Sequence, residues 1–533
     1  MCELSSCRTG IRKLRLLTLR RSGGRVSVCA GNRQPKWLTS KPARLAPFQT
    51  GANKKQHHHY KLIDIGTFGG PQSSVGIGNV QVLNNHGIVA GCAETSTTDT
   101  DYLNSGVALP SPPAPDPLIF HTSQWQKGTL ADLGALSGVN SSCANWISEN
   151  GLIAGVSENG AIDPLTGLTE VRAVLWKEGQ PTDLGTLGGY ESLTAGVNNR
   201  GQVVGTATNA IPDPFCFFGF GTQCHAFLWQ NGVMEDLGTL GGPDSFAFFG
   251  INERAQIVGG SYTDAIANPT TGLPTMDPFL WEKGKMRDLG TLGGTFGMAV
   301  LINNSGQVMG QSNQVGDSVM HGFSWERGVL TDLGSLFGGD VEVWWLNDVG
   351  EIVGSSKYPG GSPRHGFLWR KGVMTDLGTL DPDCSPMFSN SVAFAINSKE
   401  QIVGNSGCET TGVVAAVLWE KGGPAIDLNT LIPSNSDMQL VVGASINERG
   451  EIAGVGVLPD EDLRAFLLIP CDENHLDVEG CDFAMVDATE AAAPRSRLAI
   501  LPNIDSLART INPSQNWLRQ RYRMLGQRPA LRH

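Results

Sequence analysis

The sequence lacks long apolar segments and the short motifs that mark common enzymes. It contains no run of 18 or more apolar residues, the length that a membrane-spanning helix requires. It also has no Gly-x-Ser-x-Gly, His-Glu-x-x-His or P-loop pattern, which would indicate a serine hydrolase, a zinc protease or a phosphate-binding enzyme. These absences favour a protein without catalysis, cofactor or metal, but they leave catalysis by residues distant in sequence open.

Positive charge is scarce across the middle of the chain. Residues 60–492 contain 18 Lys and Arg but 49 Asp and Glu, a net charge of about −31. Residues 1–59, in contrast, contain 13 Lys and Arg with one acid, and residues 493–533 contain eight Arg with one Asp. Because binding to a phosphate backbone needs clustered Lys and Arg, the central region is not expected to bind nucleic acid.

Cys-x-x-Cys pairs are also absent, which disfavours a structural zinc site. Eight of the 11 cysteines lie beyond residue 59 and fall into local pairs. The predicted disulfides are Cys92–Cys143, Cys216–Cys224, Cys384–Cys408 and Cys471–Cys481. They indicate an oxidising, extracellular or periplasmic compartment; buried reduced thiols are the alternative.

One phrase is repeated along most of the chain. Its clearest copy spans residues 225–242 and reads His-Ala-Phe-Leu-Trp-Gln-Asn-Gly-Val-Met-Glu-Asp-Leu-Gly-Thr-Leu-Gly-Gly, and Ile-Asn-Glu-Arg-Ala-Gln-Ile-Val-Gly follows. The Asp of the Asp-Leu-Gly phrase recurs eight times, 44 to 68 residues apart, at Asp64, Asp132, Asp183, Asp236, Asp288, Asp332, Asp376 and Asp427. The Ile-Asn and Phe-Leu-Trp phrases also have eight members each, counting Ser148 for Asn and Leu468 for Trp.

Each repeat reads as four short β-strands, a to d. Runs of β-branched and aromatic residues alternate with Asn-Gly and Lys-Gly turns, the pattern of hairpins. Four strands per repeat of this length predict an all-β, eight-bladed β-propeller of four-stranded antiparallel blades. Residues 62–66 precede the first Ile-Asn phrase, and the eighth repeat lacks strand d. The N-terminal strand is therefore predicted to complete the last blade; a seven-bladed ring or an open solenoid is the alternative.

The three phrases resemble those of the bacterial HAF repeat family of extracellular proteins. The resemblance covers residues 60–470 and implies secretion, but it brings no characterised activity. Two copies depart from the family pattern, because Ala255 and Glu400 replace the turn Gly. Residues 1–59 show no clear signal peptide, which conflicts with the implied export.

Composition divides the chain into four parts. Residues 1–59 are a basic leader, predicted to be disordered or a mis-assigned start, and residues 60–470 are the propeller. Residues 471–492 are predicted to be a disulfide-stapled cap with a linker. Residues 493–533 form an Arg-rich tail in which a helix at 507–525 is predicted.

The longest insertions lie between strands b and c of the first four blades, at residues 93–118, 156–170, 206–223 and 260–276. Variable loops on a rigid scaffold commonly carry binding sites. Aromatic rings and carboxylates in and beside these loops suit a glycan or a protein ligand. The candidate ligand-binding residues are Asp101, Tyr102, Asp163, Tyr190, Glu191, Phe217, Phe218, Phe220, Tyr262, Asp264 and Asp277.

Residues repeated in every blade are interpreted as structural, because a functional site is expected to be unique. The Asp of Asp-Leu-Gly is predicted to accept backbone N–H groups, the Asn of Ile-Asn to form a turn, and the repeated Trp to pack between blades. The scattered His225, His321 and His365 do not suggest a metal site. Trp344 and Trp345 are predicted to fill the central channel.

The sequence thus predicts a secreted, non-catalytic β-propeller that binds an extracellular glycan or protein through its b–c loops. The alternative is a secreted polysaccharide hydrolase or lyase that uses loop carboxylates at the channel mouth. A purely structural surface module is a third interpretation.

Overall fold

A computed structural model describes residues 44–46, 56–100, 118–136, 140–269, 272–381 and 384–487. The predictions for Asp101, Tyr102, the rest of the leader and the Arg-rich tail lie outside these residues. The described part is built from β-strands and one short 3-10 helix at Leu428–Thr430, with no α-helix. None of its helices has the length and apolar character needed to span a membrane.

The strands are short and follow one another in regular succession. The first half contains, in chain order, β1 (Arg44–Ala46), β2 (Gln56–His58), β3 (Tyr60–Asp64), β4 (Gly69–Ser74), β5 (Val89–Thr98), β6 (Leu118–Gln126), β7 (Thr129–Asp132), β8 (Ser142–Ile147), β9 (Ile153–Ile162), β10 (Thr169–Lys177), β11 (Gln180–Asp183), β12 (Ser192–Val197), β13 (Val203–Pro212), β14 (Thr222–Gln230), β15 (Val233–Asp236), β16 (Ser245–Ile251), β17 (Ile257–Tyr262), β18 (Met276–Glu282) and β19 (Lys285–Asp288). The second half contains β20 (Gly293–Ile302), β21 (Val308–Gln314), β22 (Met320–Glu326), β23 (Val329–Asp332), β24 (Val341–Leu346), β25 (Ile352–Lys357), β26 (Arg364–Arg370), β27 (Val373–Asp376), β28 (Ser389–Ile396), β29 (Gln401–Cys408), β30 (Val413–Glu420), β31 (Ile426–Asp427), β32 (Gln439–Ile446), β33 (Ile452–Val457), β34 (Leu463–Pro470) and β35 (Met485–Asp487).

Strands β3 to β34 pair in groups of four antiparallel strands, here called units 1 to 8. Units 1 to 7 take consecutive strands from β4 to β31, and unit 8 takes β32, β33, β34 and β3. Units 4 and 5 are joined by one parallel pair, Met276 with Phe296. The strands of a unit are called a to d, in pairing order. The predicted all-β fold of four-stranded antiparallel sheets is confirmed.

Unit 8 takes its fourth strand from the beginning of the chain. Strand β3 pairs with β34 in antiparallel register, with Leu62 opposite Leu468 and Ile63 opposite Leu467. The predicted pairing of the N-terminal strand with the last repeat is therefore present. Regular structure starts before the predicted boundary at residue 60, since β2 pairs with β35. His57 Nδ1 and Glu420 Oε2 are also hydrogen-bonded, at 3.1 Å.

Tight turns connect the strands, as the Gly and Asn pattern predicts. Asn231 and Gly232 between strands c and d of unit 3 have φ angles of 52° and 82°, the left-handed pair that a type I′ hairpin requires. Ala255 and Glu400 adopt φ angles of 57° and 59°, so they hold the left-handed conformation that other units assign to Gly. Because such angles strain a residue with a Cβ atom, the backbone conformation of these two turns lowers the stability of the fold slightly.

The repeated Asp and Trp residues have the structural roles predicted for them. Asp236 Oδ1 accepts the backbone N–H of Gly238 at 2.8 Å, and each of the other seven Asp residues accepts a backbone N–H two residues further along the chain. Trp176 of unit 2 is buried and donates its indole N–H to Leu133 O at the end of unit 1. It packs there in a cluster with Ile88 and Ile147. Both predictions are confirmed.

The hairpins between strands b and c are more regular than predicted. Strand β9 extends to Ile162 and β13 to Pro212, with Ile162 opposite Thr169 and Pro212 opposite Thr222. The predicted loops at 156–170 and 206–223 therefore begin as continued strands, whose pairing contains a register shift in each hairpin.

Candidate functional site

The turns between strands a and b are joined from unit to unit by the Asn of the Ile-Asn phrase. Asn252 in unit 4 is buried, and its Oδ1 accepts the backbone N–H groups of Arg254 and Gln256, both at 3.0 Å. Its Nδ2 donates to Asn303 O in unit 5 at 3.0 Å. Equivalent donations to the next unit come from Asn84, Asn198, Asn303, Asn347, Asn397 and Asn447. The predicted turn former thus also bridges neighbouring units.

The residue after this Asn alternates around the units between an amide or hydroxyl and a carboxylate. We call these eight residues the turn belt: Asn85, Glu149, Asn199, Glu253, Asn304, Asp348, Ser398 and Glu448. The four carboxylates accept backbone N–H groups of the preceding unit at 2.9–3.0 Å, from Asn85, Asn199, Asn304 and Ser398. Sequence reasoning missed the belt, although the alternation is legible once the repeats are aligned.

Seven of the eight belt residues, all except Ser398, line a cavity of about 290 Å³ at the a–b turn end of the units. Residues from strand a or the a–b turn of every unit line it, from Gln81 in unit 1 to Glu448 in unit 8. Among the described residues that line it, none is Lys, Arg or His, and four are carboxylates. The cavity therefore offers a negative, hydrogen-bond-accepting lining.

Two tryptophans from different units form part of the cavity wall. Trp146 of unit 2 and Trp345 of unit 6 stack with ring centroids 6.2 Å apart and an interplanar angle of 29°. Trp345 is partly exposed, so an aromatic surface faces the cavity. A flat or apolar group can pack on such a surface while its polar atoms reach the belt.

An irregular segment of unit 1 packs beside these rings. Residues 75–83 follow strand a of unit 1 and form no regular strand. Within them, Asn79 Nδ2 donates to Trp344 O of unit 6 at 2.6 Å. Gly78 has a φ angle of 96°, and a Cβ atom there would lie 2.6 Å from the ring of Trp344. Trp344 also packs edge-to-face on Phe394. Trp344 and Trp345 thus contact residues of other units, and the predicted filling of a central channel stays a prediction.

Several predicted ligand-binding residues stabilise turns at the opposite, b–c loop end. Asp163 is buried, and its two carboxylate oxygens accept Leu165 N–H at 2.8 Å and Thr166 Oγ1–H at 2.7 Å. The buried Glu191 accepts Val171 N–H at 2.7 Å, and Asp264 accepts Ile266 N–H at 2.8 Å. Tyr190 is 38% exposed.

The predicted aromatic residues form a core at this end. Phe218 and Phe220 are buried, and Phe218 packs edge-to-face on Phe246 with centroids 5.3 Å apart. Phe217 contacts both Phe218 and Phe246. Tyr262 is fully buried and donates its hydroxyl to Phe215 O at 3.1 Å. The rings thus pack on one another instead of forming an exposed platform.

The predicted Asp277 faces a second carboxylate. In units 1, 3, 5 and 6, a His on strand c pairs with the Asp of Asp-Leu-Gly at 2.8–3.0 Å. In unit 4 Asp277 stands beside Asp288, and burial together with the charge of Asp288 raises the pKa of Asp277 to about 6. The described residues include no group of three His, Cys, Asp or Glu arranged to hold a metal.

A second acid pair is deeply buried at the b–c loop end. Asp244 Oδ1 accepts Cys224 N–H at 2.7 Å, and Asp213 Oδ1 accepts Phe215 N–H at 3.1 Å. Burial and the neighbouring Asp213 raise the pKa of Asp244 well above its usual range. The two carboxyl groups can be accommodated there when they share a proton.

All four predicted disulfides are present. Cys92–Cys143 joins unit 1 to unit 2, and Cys216–Cys224 closes the loop that carries the phenylalanines. Cys384–Cys408 lies in unit 7, and Cys471–Cys481 follows unit 8.

The sequence matches no protein-family model and no curated protein. The chain is similar at low identity to solved structures. The β-propeller domain of the trilobed protease from Pyrococcus furiosus is 10% identical over 60% of this chain and 89% of that one, with a TM-score of 0.35. TolB from Acinetobacter baumannii is 10% identical over 63% and 78%, with a TM-score of 0.27. An ulvan lyase of a polysaccharide lyase family is 10% identical over 71% and 100%, with a TM-score of 0.34. These likenesses are too distant to bear on activity.

Proposed function

We propose that the eight units form a closed eight-bladed β-propeller. Three observations support closure: β3 completes unit 8, Asn447 of unit 8 donates to Asn84 O of unit 1 at 3.0 Å, and one cavity is lined from every unit. A closed ring leaves no unpaired face between the first and the last sheet, which lowers the risk of edge-to-edge association.

We further propose that the protein belongs to the HAF repeat family and works outside the cytoplasm. The four disulfides support an oxidising compartment, because such bonds are rare in reducing ones. The eightfold recurrence of the family's phrases supports the family assignment.

The function that the geometry supports best is non-catalytic binding of a ligand with an ammonium or guanidinium group. The observation that carries this proposal is the central cavity, in which the described lining residues include four belt carboxylates and the partly exposed Trp345 but no basic side chain. The carboxylates attract a cation, and an aromatic face near them adds a cation–π contribution. The volume suits one amino-acid side chain or one sugar ring, at the small end of ligand pockets.

The proposed site lies at the opposite end of the units from the b–c loops. We place it there because Asp163, Glu191 and Tyr262 are buried in contacts within the protein. The cavity, in contrast, is an open concave site. Both ligand classes predicted from the sequence remain compatible, since an amino sugar and a basic side chain each carry the required cation.

Calorimetric titration with matched small probes tests this proposal. Agmatine represents a basic side chain and glucosamine an amino sugar, and glucose is the uncharged counterpart of glucosamine. We expect agmatine or glucosamine to bind, more weakly at high salt, and glucose not to bind. Glu253→Gln should weaken binding about fivefold, since one carboxylate near a cation contributes about 1 kcal/mol in an exposed setting.

The control is Glu282→Gln, which removes a carboxylate that lies on the outer c–d turn beside Lys283. It should leave binding unchanged. Equal binding of glucose and glucosamine would contradict the charge argument. Release of reducing ends from a polysaccharide, abolished by a belt substitution such as Asp348→Asn, would instead establish the catalytic alternative.

A further inference from the structure

The residues that follow unit 8 form a cap at its a–b turn end. The cap is defined as residues 471–487, and Cys471–Cys481 closes its first part. Cys471 N–H donates to His59 O at 2.8 Å, and β35 pairs with β2 at the end of the cap. The cap is thus tied to the segment that leads into β3, the strand that completes unit 8.

A buried histidine connects the cap to the turn of unit 8. The side chain of His475 is 0% exposed. Its Nδ1 lies 2.6 Å from Asp472 Oδ1 within the cap, and its Nε2 lies 3.5 Å from Glu451 Oε1 in unit 8. A neutral imidazole can donate from only one of these nitrogens, whereas an imidazolium donates from both.

Glu451 occupies a position where units 3, 4, 5 and 7 carry glutamine, whereas unit 6 carries Glu351. Gln202, Gln256 and Gln401 accept the side-chain N–H of the Asn four residues earlier at 2.8 Å. Glu451 accepts the same bond from Asn447 at 2.6 Å, but as a carboxylate it can also pair with a charged His475. The substitution is therefore not needed for the turn and makes an interaction with the cap possible.

Glu451 also lies at the junction between the last and the first unit. A Cβ atom at Gly87 of unit 1 would lie 3.1 Å from Glu451 Oε2. Asn447, which Glu451 holds, donates to Asn84 O of unit 1. The contact between His475 and Glu451 consequently joins the cap to the junction of units 8 and 1.

We propose that a pH-dependent contact, here called the clasp, holds the cap at this junction. The clasp is engaged when His475 is an imidazolium that bridges Asp472 and Glu451, and it loosens when His475 is neutral. Arg449 lies 3.3 Å from Glu451, so Glu451 keeps a cationic neighbour after the clasp opens. The neutral imidazole keeps its hydrogen bond with Asp472, and the cap loses its ion pair with Glu451 of unit 8.

The other charged groups around the clasp set its direction. Asp472 faces His475 from the cap, and Glu451 and Arg449 face it from the turn. Behind them Tyr60 stays neutral, because burial and the charges of Glu420 and Asp472 raise its pKa far above the usual range. Burial acts to lower the pKa of His475, but its hydrogen bonds and charge interactions with Glu451 and Asp472 outweigh burial and raise it.

The sign of the pH effect follows. A His whose pKa is raised in the folded state contributes its full stabilisation below the ordinary pKa of about 6.5. That contribution is lost as the pH rises through the raised value. The clasp is thus engaged in acid and open in alkali.

Hydrogen exchange of the cap in the full-length protein, expressed as protection factors, tests the proposal. Protection of residues 471–487 should fall roughly fivefold as the pH rises past the pKa of His475, the ratio expected when a charge-assisted hydrogen bond becomes neutral. His475→Gln should give low protection at every pH. Glu451→Gln, which introduces the residue that units 3, 4, 5 and 7 carry, should keep the turn intact and remove most of the pH dependence.

The matched control is His121→Gln, which removes a His–Asp pair in unit 1 and should leave the cap profile unchanged. A wild-type NMR titration of the His475 ring protons guards against misfolded variants, since its midpoint must coincide with that of cap exchange. A different midpoint, pH-independent protection in the wild type or an unaltered profile in His475→Gln would overturn the clasp.

Discussion

At the a–b turn end, seven units present an Asn side chain that donates to the next unit in the same way. At the b–c loop end, several units have contacts of their own: a disulfide between units 1 and 2, a phenylalanine cluster in units 3 and 4, and a Glu342–Lys357–Arg364 ion network in unit 6. The repeated end is held by hydrogen bonds between units and surrounds the cavity. The variable end also has recurring bonds between units, such as Val171 N–H to Glu191 and Cys224 N–H to Asp244, but it adds contacts that only one or two units share.

The comparison shows that the end of the units that varies most in sequence is not the end that carries the open site. The long b–c hairpins vary in sequence, but most of their aromatic and acidic residues pack in the core or accept hydrogen bonds within the protein. The short a–b turns hardly vary in length, yet a single variable residue in each turn creates the alternating belt.

The largest expected effect concerns the variable end. Phe218→Ala removes a buried ring from its contacts with Phe217, Phe220 and Phe246 and should destabilise the protein by about 3–5 kcal/mol in urea unfolding. Phe388→Ala, at a side chain that is 40% exposed, is the control and should cost much less. Equal losses for the two variants would refute a packed core at this end.

A smaller loss is expected at the repeated end. Asn252→Ala removes one of the two donors to Asn303 O and leaves the backbone N–H groups of Arg254 and Gln256 without this acceptor, which should cost about 1–3 kcal/mol in the same assay. Asn304→Ala on the exposed belt should cost under about 1 kcal/mol, because water can replace its bonds. If Asn304→Ala is the more damaging substitution, the contrast between the buried Asn of the Ile-Asn phrase and the exposed turn belt is wrong.

The smallest effect should be a gain. Ala255 holds a φ angle of 57° in the a–b turn of unit 4, and glycine adopts this conformation without the Cβ strain. Ala255→Gly should therefore raise stability by about 0.5–1 kcal/mol, visible as a higher melting temperature. Gly306→Ala at the equivalent turn of unit 5, where φ is 89°, should do the reverse, and a stabilising Gly306→Ala would show that the turn is not strained.

Much of this architecture could be predicted from the sequence, because it is written in repeated local patterns. The strands, the Asp-Leu-Gly acceptors, the Trp contacts and the pairing of the N-terminal strand with the last repeat follow from hairpin chemistry and repeat order. The disulfides followed from proximity in sequence. Except for the pairing of the N-terminal strand, which follows from the order of the repeats, each of these features depends on residues within one repeat or its neighbour in sequence.

The candidate site could not be predicted in the same way. Trp146 and Trp345 meet although they belong to units 2 and 6, and residues 75–83 leave the repeat pattern to reach Trp344. Such contacts depend on the arrangement of all units, which a single repeat does not encode. Phe218 is buried, whereas another phenylalanine can lie at the surface. The residue type alone does not distinguish the two cases.

The pairing of Leu62 with Leu468 has a consequence for synthesis. When a ribosome has produced β3, the strand that will accept its hydrogen bonds has yet to be translated, and it arrives only after seven other sheets. Completion of the final sheet is thus necessarily a late event that waits for nearly the whole polypeptide, and a deletion of Tyr60–Asp64 would damage the sheet that is made last.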